Sequence, residues 1–433
     1  MTFYDLKMIP QILKAIQEKG YTIPTPIQEQ SIPLLLDGND ILGSAQTGTG
    51  KTAAFAVPIL QRIYQEKTKD NHRRIKALVL TPTRELANQI GQSFSVYGKH
   101  TGIKHTVIFG GVSQKKQELS LKNGAEIVIA TPGRLLDLLR QRIMRLDDIR
   151  YLVLDEADRM LDMGFITDVK EIIKDIPLSR QTMLFSATMP KEIVKLSEDI
   201  LRNPIRVMIT PVTATINAIS QRLYHVEKKD KTKLFIHLFE TLNIDSAIVF
   251  TRTKHGANQL EKELIHHGIK AQSIHGNKSQ AQRERALSNF KKRKTDVLVA
   301  TDVASRGLDI TALSYVINFD LPEEDETYIH RIGRTGRAGL SGVAISFCAP
   351  HERKLLAAIE RFIKTKIDVV STHPFAKAIV MNQPNASKTK KKKYYGSNGL
   401  YAKTNGSKKA YKKSGSQSTN KPLHKDFYYR ESI

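Results

Sequence analysis

The stretch "SAQTGTGKT", Ser44 to Thr52, sets glycines, a lysine and a hydroxyl at the spacing of a phosphate-binding loop. Gly48 and Gly50 let the backbone turn its N–H groups onto phosphates at a helix N-terminus. Lys51 supplies a point charge for the β- and γ-phosphates, and Thr52 offers a hydroxyl to Mg²⁺. Downstream, the apolar run of "YLVLDEAD" ends in two carboxylates. Asp155 stands where P-loop ATPases carry a metal-binding aspartate, and Glu156 is suited to orient or deprotonate an attacking water. The guanine-reading Asn-Lys-x-Asp motif is missing, since "NKSQ" at Asn277 ends wrongly, so adenine is the better base. One residue departs from the generic loop. Ala45 holds the first place, where glycine is expected, and a methyl group there requires a negative φ.

These residues need strands that end on one side of a sheet. Near-continuous apolar runs occur at "ALVLTPT" (77–83), "EIVIATPG" (126–133), "YLVLDEAD" (151–158) and "QTMLFSAT" (181–188). They recur at "AIVFTRT" (247–253), "KAQSIHG" (270–276), "DVLVATD" (296–302) and "YVINFD" (315–320). Such runs, separated by helix-length segments, predict α/β architecture with parallel sheets covered by helices on both faces. The chemistry-bearing residues follow the strands at their C-terminal ends, where open α/β sheets bind ligands. The threonine-rich stretch "ITPVTATINAISQ" (209–221) has no clear period and divides the chain into two similar halves. The expected organisation is a first domain over 1–209, a linker over 210–219, a second domain over 220–375 and a tail over 376–433. Only the first half has a phosphate loop, so the second is not an independent nucleotide-binding unit.

A length of 433 residues fits two or three domains, and 40% hydrophobic residues allow sizeable cores. The formal net charge of +25 points to an anionic partner. From Met381 onward the chain carries 12 Lys and one Arg against one Asp and one Glu, without apolar periodicity, which predicts a disordered basic tail. Its lysines, interleaved with Tyr394, Tyr395, Tyr401 and Tyr411, suit a sequence-tolerant RNA tether, with a solubilising extension as the alternative. The one cysteine, Cys348, rules out an intramolecular disulfide and reads as a packed thiol in a buried strand. No apolar h-region opens the chain and no run reaches the length of a membrane span, so a cytoplasmic protein is expected.

Nine motifs occur in order: "PTPIQ" (24–28), "AQTGTGKT" (45–52), "PTREL" (82–86), "GG" (110–111), "TPGR" (131–134), "DEAD" (155–158), "SAT" (186–188), "ATDVASRGLDI" (300–310) and "HRIGRTGR" (330–337). In these the chain resembles the DEAD-box RNA helicases over roughly residues 2–350, and its short N-terminus and basic tail are most similar to the bacterial RhlE-like branch. The resemblance implies two tandem RecA-like domains, ATP with Mg²⁺ as cofactors, and RNA as a sequence-nonspecific partner, single-stranded or in short duplexes. Alanine at the first loop position is a feature of that family.

The resemblance also assigns roles. The whole loop, Ala45, Gln46, Thr47, Gly48, Thr49, Gly50, Lys51 and Thr52, would hold the nucleotide, with Thr52 and Asp155 at the metal. Gln28 has an amide that can pair two-pronged with an adenine edge, and Phe3 is the upstream aromatic for stacking on that base. Asp309 is a candidate ribose contact. Arg334 and Arg337, three apart and so expected on one face of a helix, would be arginine fingers supplied by the second half. Asp158, Ser186, Thr188, Arg306 and His330 would couple the halves, with Asp158 and His330 as partners across the cleft. RNA phosphates would meet Pro82, Thr83, Arg84, Gly111, Thr131, Pro132, Gly133 and Arg134 in the first half. Arg252, Gly276, Gln280, Arg283 and Thr301 are the candidates in the second. Such contacts fix position without reading sequence.

The expected activity is RNA-stimulated ATP hydrolysis that opens short duplexes or remodels RNA–protein complexes, in ribosomal or RNA-decay settings. An ATP-gated RNA clamp and a DNA helicase of the same superfamily are the alternatives.

Overall fold

The computed structural model of the chain describes residues 1–45, 49–67, 74–208, 219–302, 310, 313–336 and 342–376. The apolar runs of the first half form one parallel sheet. Its strands are β1 (Ile41–Ser44), β2 (Ala77–Leu80), β3 (His105–Ile108), β4 (Ile127–Ala130), β5 (Tyr151–Leu154), β6 (Gln181–Ser186) and β7 (Ile205–Met208). They lie in the order β3-β4-β2-β5-β6-β1-β7. Alternate residues feed opposite cores: Ala77 and Val79 face one side, Leu78 and Leu80 the other. Helices Lys51–Lys67 and Arg84–Tyr97 cover the first face through Phe55, Ile59, Ile90 and Phe94. Helices Pro132–Arg140, Ile166–Lys174 and Lys191–Ile200 cover the second through Leu135, Leu138, Ile172 and Leu196. Burial on both faces is why these strands carry no alternating polar pattern.

The second half repeats the plan. Strands β8 (Ile219–His225), β9 (Ala247–Phe250), β10 (Ala271–Ile274), β11 (Val297–Ala300), β12 (Tyr315–Asn318), β13 (Gly342–Cys348) and β14 (Asp368–Val369) pair in the order β10-β11-β9-β12-β13-β8-β14. Numbered from its own first strand, this is the order of the first sheet. The halves are two copies of one topology, with their strand C-termini as the natural ligand edges.

Two sequence expectations change. Of the stretch expected as a linker, 209–218 lies outside the described residues, and Ile219–Gln221 opens β8 instead, held in register by β13. Strands β1, β3, β7, β8 and β14 were not foreseen. β1 is four residues fused to the phosphate loop, and β7 exposes three of its four residues at the sheet edge. Cys348 is buried at the end of β13, and burial pushes its thiol up to about 11, so it packs and does not react. The tail from residue 377 lies outside the described residues, as do Gln46, Thr47, Gly48, Arg306, Asp309 and Arg337.

Candidate nucleotide and RNA site

β1 leads into Ala45, which keeps a negative φ and donates its N–H to Ser186 O at 3.3 Å, so the methyl group is accommodated. Gly50 then turns the chain at φ +96° into helix Lys51–Lys67. A Cβ at Gly50 would stand 2.4 Å from Gln28 Nε2 and 2.7 Å from Thr25 Oγ1, so this place requires glycine. Gln28 donates from Nε2 to Gly50 O at 3.1 Å and accepts from Thr25 N at 3.0 Å. Its amide therefore clasps the loop. One further N–H and one lone pair stay open to a base.

Lys51 and Asp155, both buried, face each other at 3.8 Å, beyond hydrogen-bond reach. Among the described residues, neither Lys51 Nζ nor Asp155 Oδ1 has a hydrogen-bond partner. Burial pushes the Asp155 carboxyl up to about 6, against the pull of Lys51. A buried ammonium and a buried carboxylate oxygen left without hydrogen bonds are costly unless a ligand completes them. An anionic phosphate and a divalent cation would do so, and the residues fit both. Among the described residues no group of three or more His, Cys, Asp or Glu could hold a metal. A divalent cation is commonly held by one or two carboxylates together with substrate phosphates, and Asp155 can supply such a carboxylate.

The cavity at this point is about 510 Å³ and is lined by Tyr21, Gln28, Gly50, Lys51, Asp155 and Glu156. Phe3, expected to stack on the base, reaches its wall but is 5% exposed and packs in the core. Tyr21, at 44% exposure, presents the open aromatic face, and the sequence reading missed it. Its position seven residues before Gln28 was the available signal.

Glu156 sits in the left-handed region, φ +56°, as N-cap of the short helix Ala157–Asp162. Its carboxylate is gripped at 2.8 Å by Arg159, also buried, which the sequence reading passed over. Asp158 Oδ2 accepts from Ala187 N at 3.0 Å, Thr188 N at 2.9 Å and Thr188 Oγ1 at 3.2 Å. Ser186 Oγ accepts from Asp158 N at 3.1 Å and donates to Thr188 O at 2.7 Å. The DEAD and SAT segments are thus knitted together. Burial raises the Glu326 carboxyl of the second half, and the nearby Thr188 hydroxyl pulls against that shift. Asp158 is filled by the main chain and hydroxyl of its own half, whereas His330 lines a small cavity with Arg159, Asp302 and Arg334.

Arg334, expected with Arg337 on one helical face, is not on a helix. Helix Asp325–Ile332 ends at Gly333, and Arg334 lies in the turn beyond it, buried. The helical residue is Arg331. It forks onto Asp302 at 2.6 and 2.7 Å, bonds Asn318 Oδ1 and Asp320 O, and lies 5.0 Å over the Phe250 ring. It holds the turn that carries Arg334.

The RNA candidates of the first half follow β2, β3 and β4, three neighbouring strands. Thr83 caps helix Arg84–Tyr97 by accepting from Leu86 N at 3.3 Å. Gly111, at φ +76°, lies over the Arg84 guanidinium, where a Cβ would approach to 2.2 Å. Thr131 and Pro132 open helix Pro132–Arg140, with Gly133 in its first turn, and Arg134 pairs with Asp137 at 3.4 Å. In the second half Arg252, Gly276 and Thr301 follow β9, β10 and β11, the corresponding three strands. Gln280 and Arg283 depart from expectation. Arg283 pairs with Glu85 of the first half at 2.8 Å and Gln280 donates to the same carboxylate at 3.3 Å, so they join the halves. Arg252 is partly committed to Glu352 at 3.0 Å.

A model of the DEAD/DEAH box helicase family matches residues 25–196, and one of the helicase conserved C-terminal domain matches 230–339. The chain is 46% identical over 368 residues to the DEAD-box ATP-dependent RNA helicase RhpA of Helicobacter pylori, covering 85% of this chain and 74% of that one. It belongs to the DEAD-box RNA helicases. The CshA helicase of Bacillus subtilis is 43% identical with the same coverage. Among solved structures, Saccharomyces cerevisiae Dbp5 bound to RNA and ADP BeF3 matches with a TM-score of 0.76 at 33% identity, over 85% of this chain and 95% of that one. A DEAD box protein from Methanococcus jannaschii reaches only 0.51 at 39% identity, over 86% and 99%. The arrangement of this helicase is therefore more like the RNA-bound yeast form, although the archaeal sequence is nearer. It is an ATP-dependent RNA helicase with two RecA-like folds in tandem.

Proposed function

We propose that this DEAD-box helicase divides its work by strand position. The nucleotide is handled at the ends of β5, β6 and β1, and RNA at the ends of β3, β4 and β2 with their counterparts β10, β11 and β9. The observation that carries this reading is the buried Lys51 Nζ and Asp155 Oδ1, 3.8 Å apart and, among the described residues, without hydrogen-bond partners. Lys51 takes the β- and γ-phosphates. Thr52 and Asp155 would hold Mg²⁺, which when bound neutralises phosphate charge. Gln28 pairs with adenine while clasping Gly50, and Tyr21, more than Phe3, offers the stacking face. Glu156 orients and deprotonates the attacking water, its carboxylate fixed by Arg159. Arg334 supplies positive charge from the second half, with Arg337, Arg306 and Asp309 joining from residues beyond those described. Hydrolysis then depends on the two halves meeting, and RNA lying across both favours that meeting.

Thr83, Arg84, Gly111, Thr131, Gly133 and Arg134 hold the strand in the first half, and Arg252, Gly276 and Thr301 in the second. The products are opened short RNA duplexes or remodelled RNA–protein complexes, in ribosomal or RNA-decay work in the cytoplasm. Among the described residues no helix is long and apolar enough to cross a membrane. The domain limits follow the sequence reading, about 1–209 and 220–375, joined by the linker and followed by the tail. ATP turnover measured with RNA or DNA of matched sequence tests the substrate, and stimulation by DNA as strong as by RNA would overturn the RNA assignment. Glu156→Gln should slow turnover by 10² or more while keeping ATP-dependent RNA binding. Normal turnover in that variant would remove Glu156 from the role of base.

A further inference from the structure

The repeated strand order gives the second half a counterpart of the nucleotide site. In the first half, β1 leads to a helix whose first residue is Lys51, facing Asp155 after β5. In the second, β8 leads to helix Lys231–Thr241, whose first residue, Lys231, meets Asp320 after β12 at 2.9 Å. β8 and β12 occupy the places of β1 and β5 in their sheet. Over this pair lies an open groove of about 900 Å³, lined by the second half alone, including Lys228, Lys229, Lys233, Arg252, Phe319 and His351.

The groove is degenerate as a nucleotide site for a specific reason. The Lys231 ammonium has three protons, and all are taken: by Phe319 O at 2.6 Å, Asp320 Oδ1 at 2.9 Å and Glu352 Oε2 at 2.8 Å. Glu352 is fully buried and supplies the negative charge that a phosphate would bring. Nothing is left at the floor to receive a terminal phosphate. The rim differs. Lys228, Lys229 and Lys233 are exposed, and among the described residues none has a carboxylate within 4 Å. The groove's own carboxylates are Asp320, committed to Lys231 and to Arg252 N, and Glu263. Arg252 and Thr253 join this rim to the end of β9, where the RNA path leaves the central strands.

We propose that this vestigial nucleotide site is a phosphate-binding station for the RNA strand beyond Arg252. The lysine rim neutralises backbone phosphates, and the half-buried Phe319 ring adds an apolar floor without selecting sequence. A flexible chain passing over an open basic groove needs no deep pocket, which is what the occupied Lys231 leaves available. The station rests on the RNA reading above and lengthens the site it describes.

The test compares single-stranded RNAs of about 10 and about 25 nucleotides, the shorter on the scale of a single binding module. Binding to the full chain is read by fluorescence anisotropy with a non-hydrolysable ATP analogue. In the triple variant Lys228→Glu, Lys229→Glu, Lys233→Glu, affinity for the long RNA should fall about tenfold or more, and its log–log salt slope should drop by about 2, from about 0.7 per lost contact. Short-RNA affinity and short-RNA-stimulated ATP turnover should stay at wild-type values. A control variant, Lys262→Glu, Lys270→Glu, Lys364→Glu, reverses the same charge elsewhere on the second half and should leave the long-RNA slope unchanged. Equal losses on both lengths, or in both variants, would overturn the station. No loss in any RNA assay would also overturn it and assign the rim to an acidic protein. Calorimetry with ATP and with inorganic tripolyphosphate should show one site per chain; a second site abolished by the triple variant would make the groove a polyphosphate site instead. Absence of RNA stimulation in the wild type would be failure of the helicase reading itself, a separate result.

Discussion

At the scale of single residues, the site is governed by which polar atoms are satisfied and which are left over. Lys51 and Asp155 are left over; Gln28, Glu156 and Asp158 are each held by a named partner before any ligand arrives. This preorganisation keeps the carboxylates in place at no cost during the reaction. The aromatic wall separates two residues that the sequence made hard to rank. Tyr21→Ala should raise KM for ATP about tenfold, the loss of one stacked ring, while shifting thermal unfolding little. Phe3→Ala should do the reverse, costing about 2–4 kcal/mol of stability for a buried ring with a smaller effect on KM. Steady-state kinetics and thermal unfolding on both variants decide the matter. If Phe3→Ala carries the larger KM effect, the stacking assignment returns to it.

At the scale of elements, strands with both faces buried announce themselves as apolar runs, which is why eight of them, among them "YLVL" and "DVLVATD", were legible. What stayed hidden were the short or exposed β1, β3, β7 and β14, together with β8, whose first residues lie in the stretch read as a linker. The helical face expected for Arg334 failed because Gly333 ends the helix one residue earlier, and an i,i+3 spacing says nothing across a terminus. Gln280 and Arg283 were read as open because sequence shows charge, not the Glu85 that covers it from 195 positions away. Tertiary pairs of this kind also set element stability. Helix Lys231–Thr241 is pinned to β12 and the segment after β13 through Lys231, Asp320 and Glu352. Lys231→Met should cost about 3–5 kcal/mol, since the buried Glu352 and the half-buried Asp320 lose their cation. Lys231→Met with Glu352→Gln should recover much of that. Denaturant unfolding of the second half reads both, and a double variant as unstable as the single would show that the charge balance is not what holds the helix.

At the scale of the whole molecule, the halves meet through the buried cluster of Glu85 with Gln280 and Arg283, and Thr188 stands by Glu326 at a half-buried point. Arg283→Ala should leave each half folded but weaken ATP-dependent RNA binding about tenfold, because the variant removes a contact made only when the halves are together. Fluorescence energy transfer between labels on the two halves should show fewer joined molecules with ATP analogue and RNA. An unchanged joined population would make the Glu85 pair incidental. The repeated sheets carry one more consequence. Lys231 has its counter-charge built into the chain, so the second half is electrically self-sufficient. Lys51 stands 3.8 Å from Asp155 without a hydrogen bond, and a nucleotide with its cation would complete both. The floor of the first site is therefore linked to the ligand pool by mass action, while the floor of the second, closed by Glu352, is not. One copy of the site waits on the cell's supply of triphosphate; the other already holds Glu352 in the place of a phosphate.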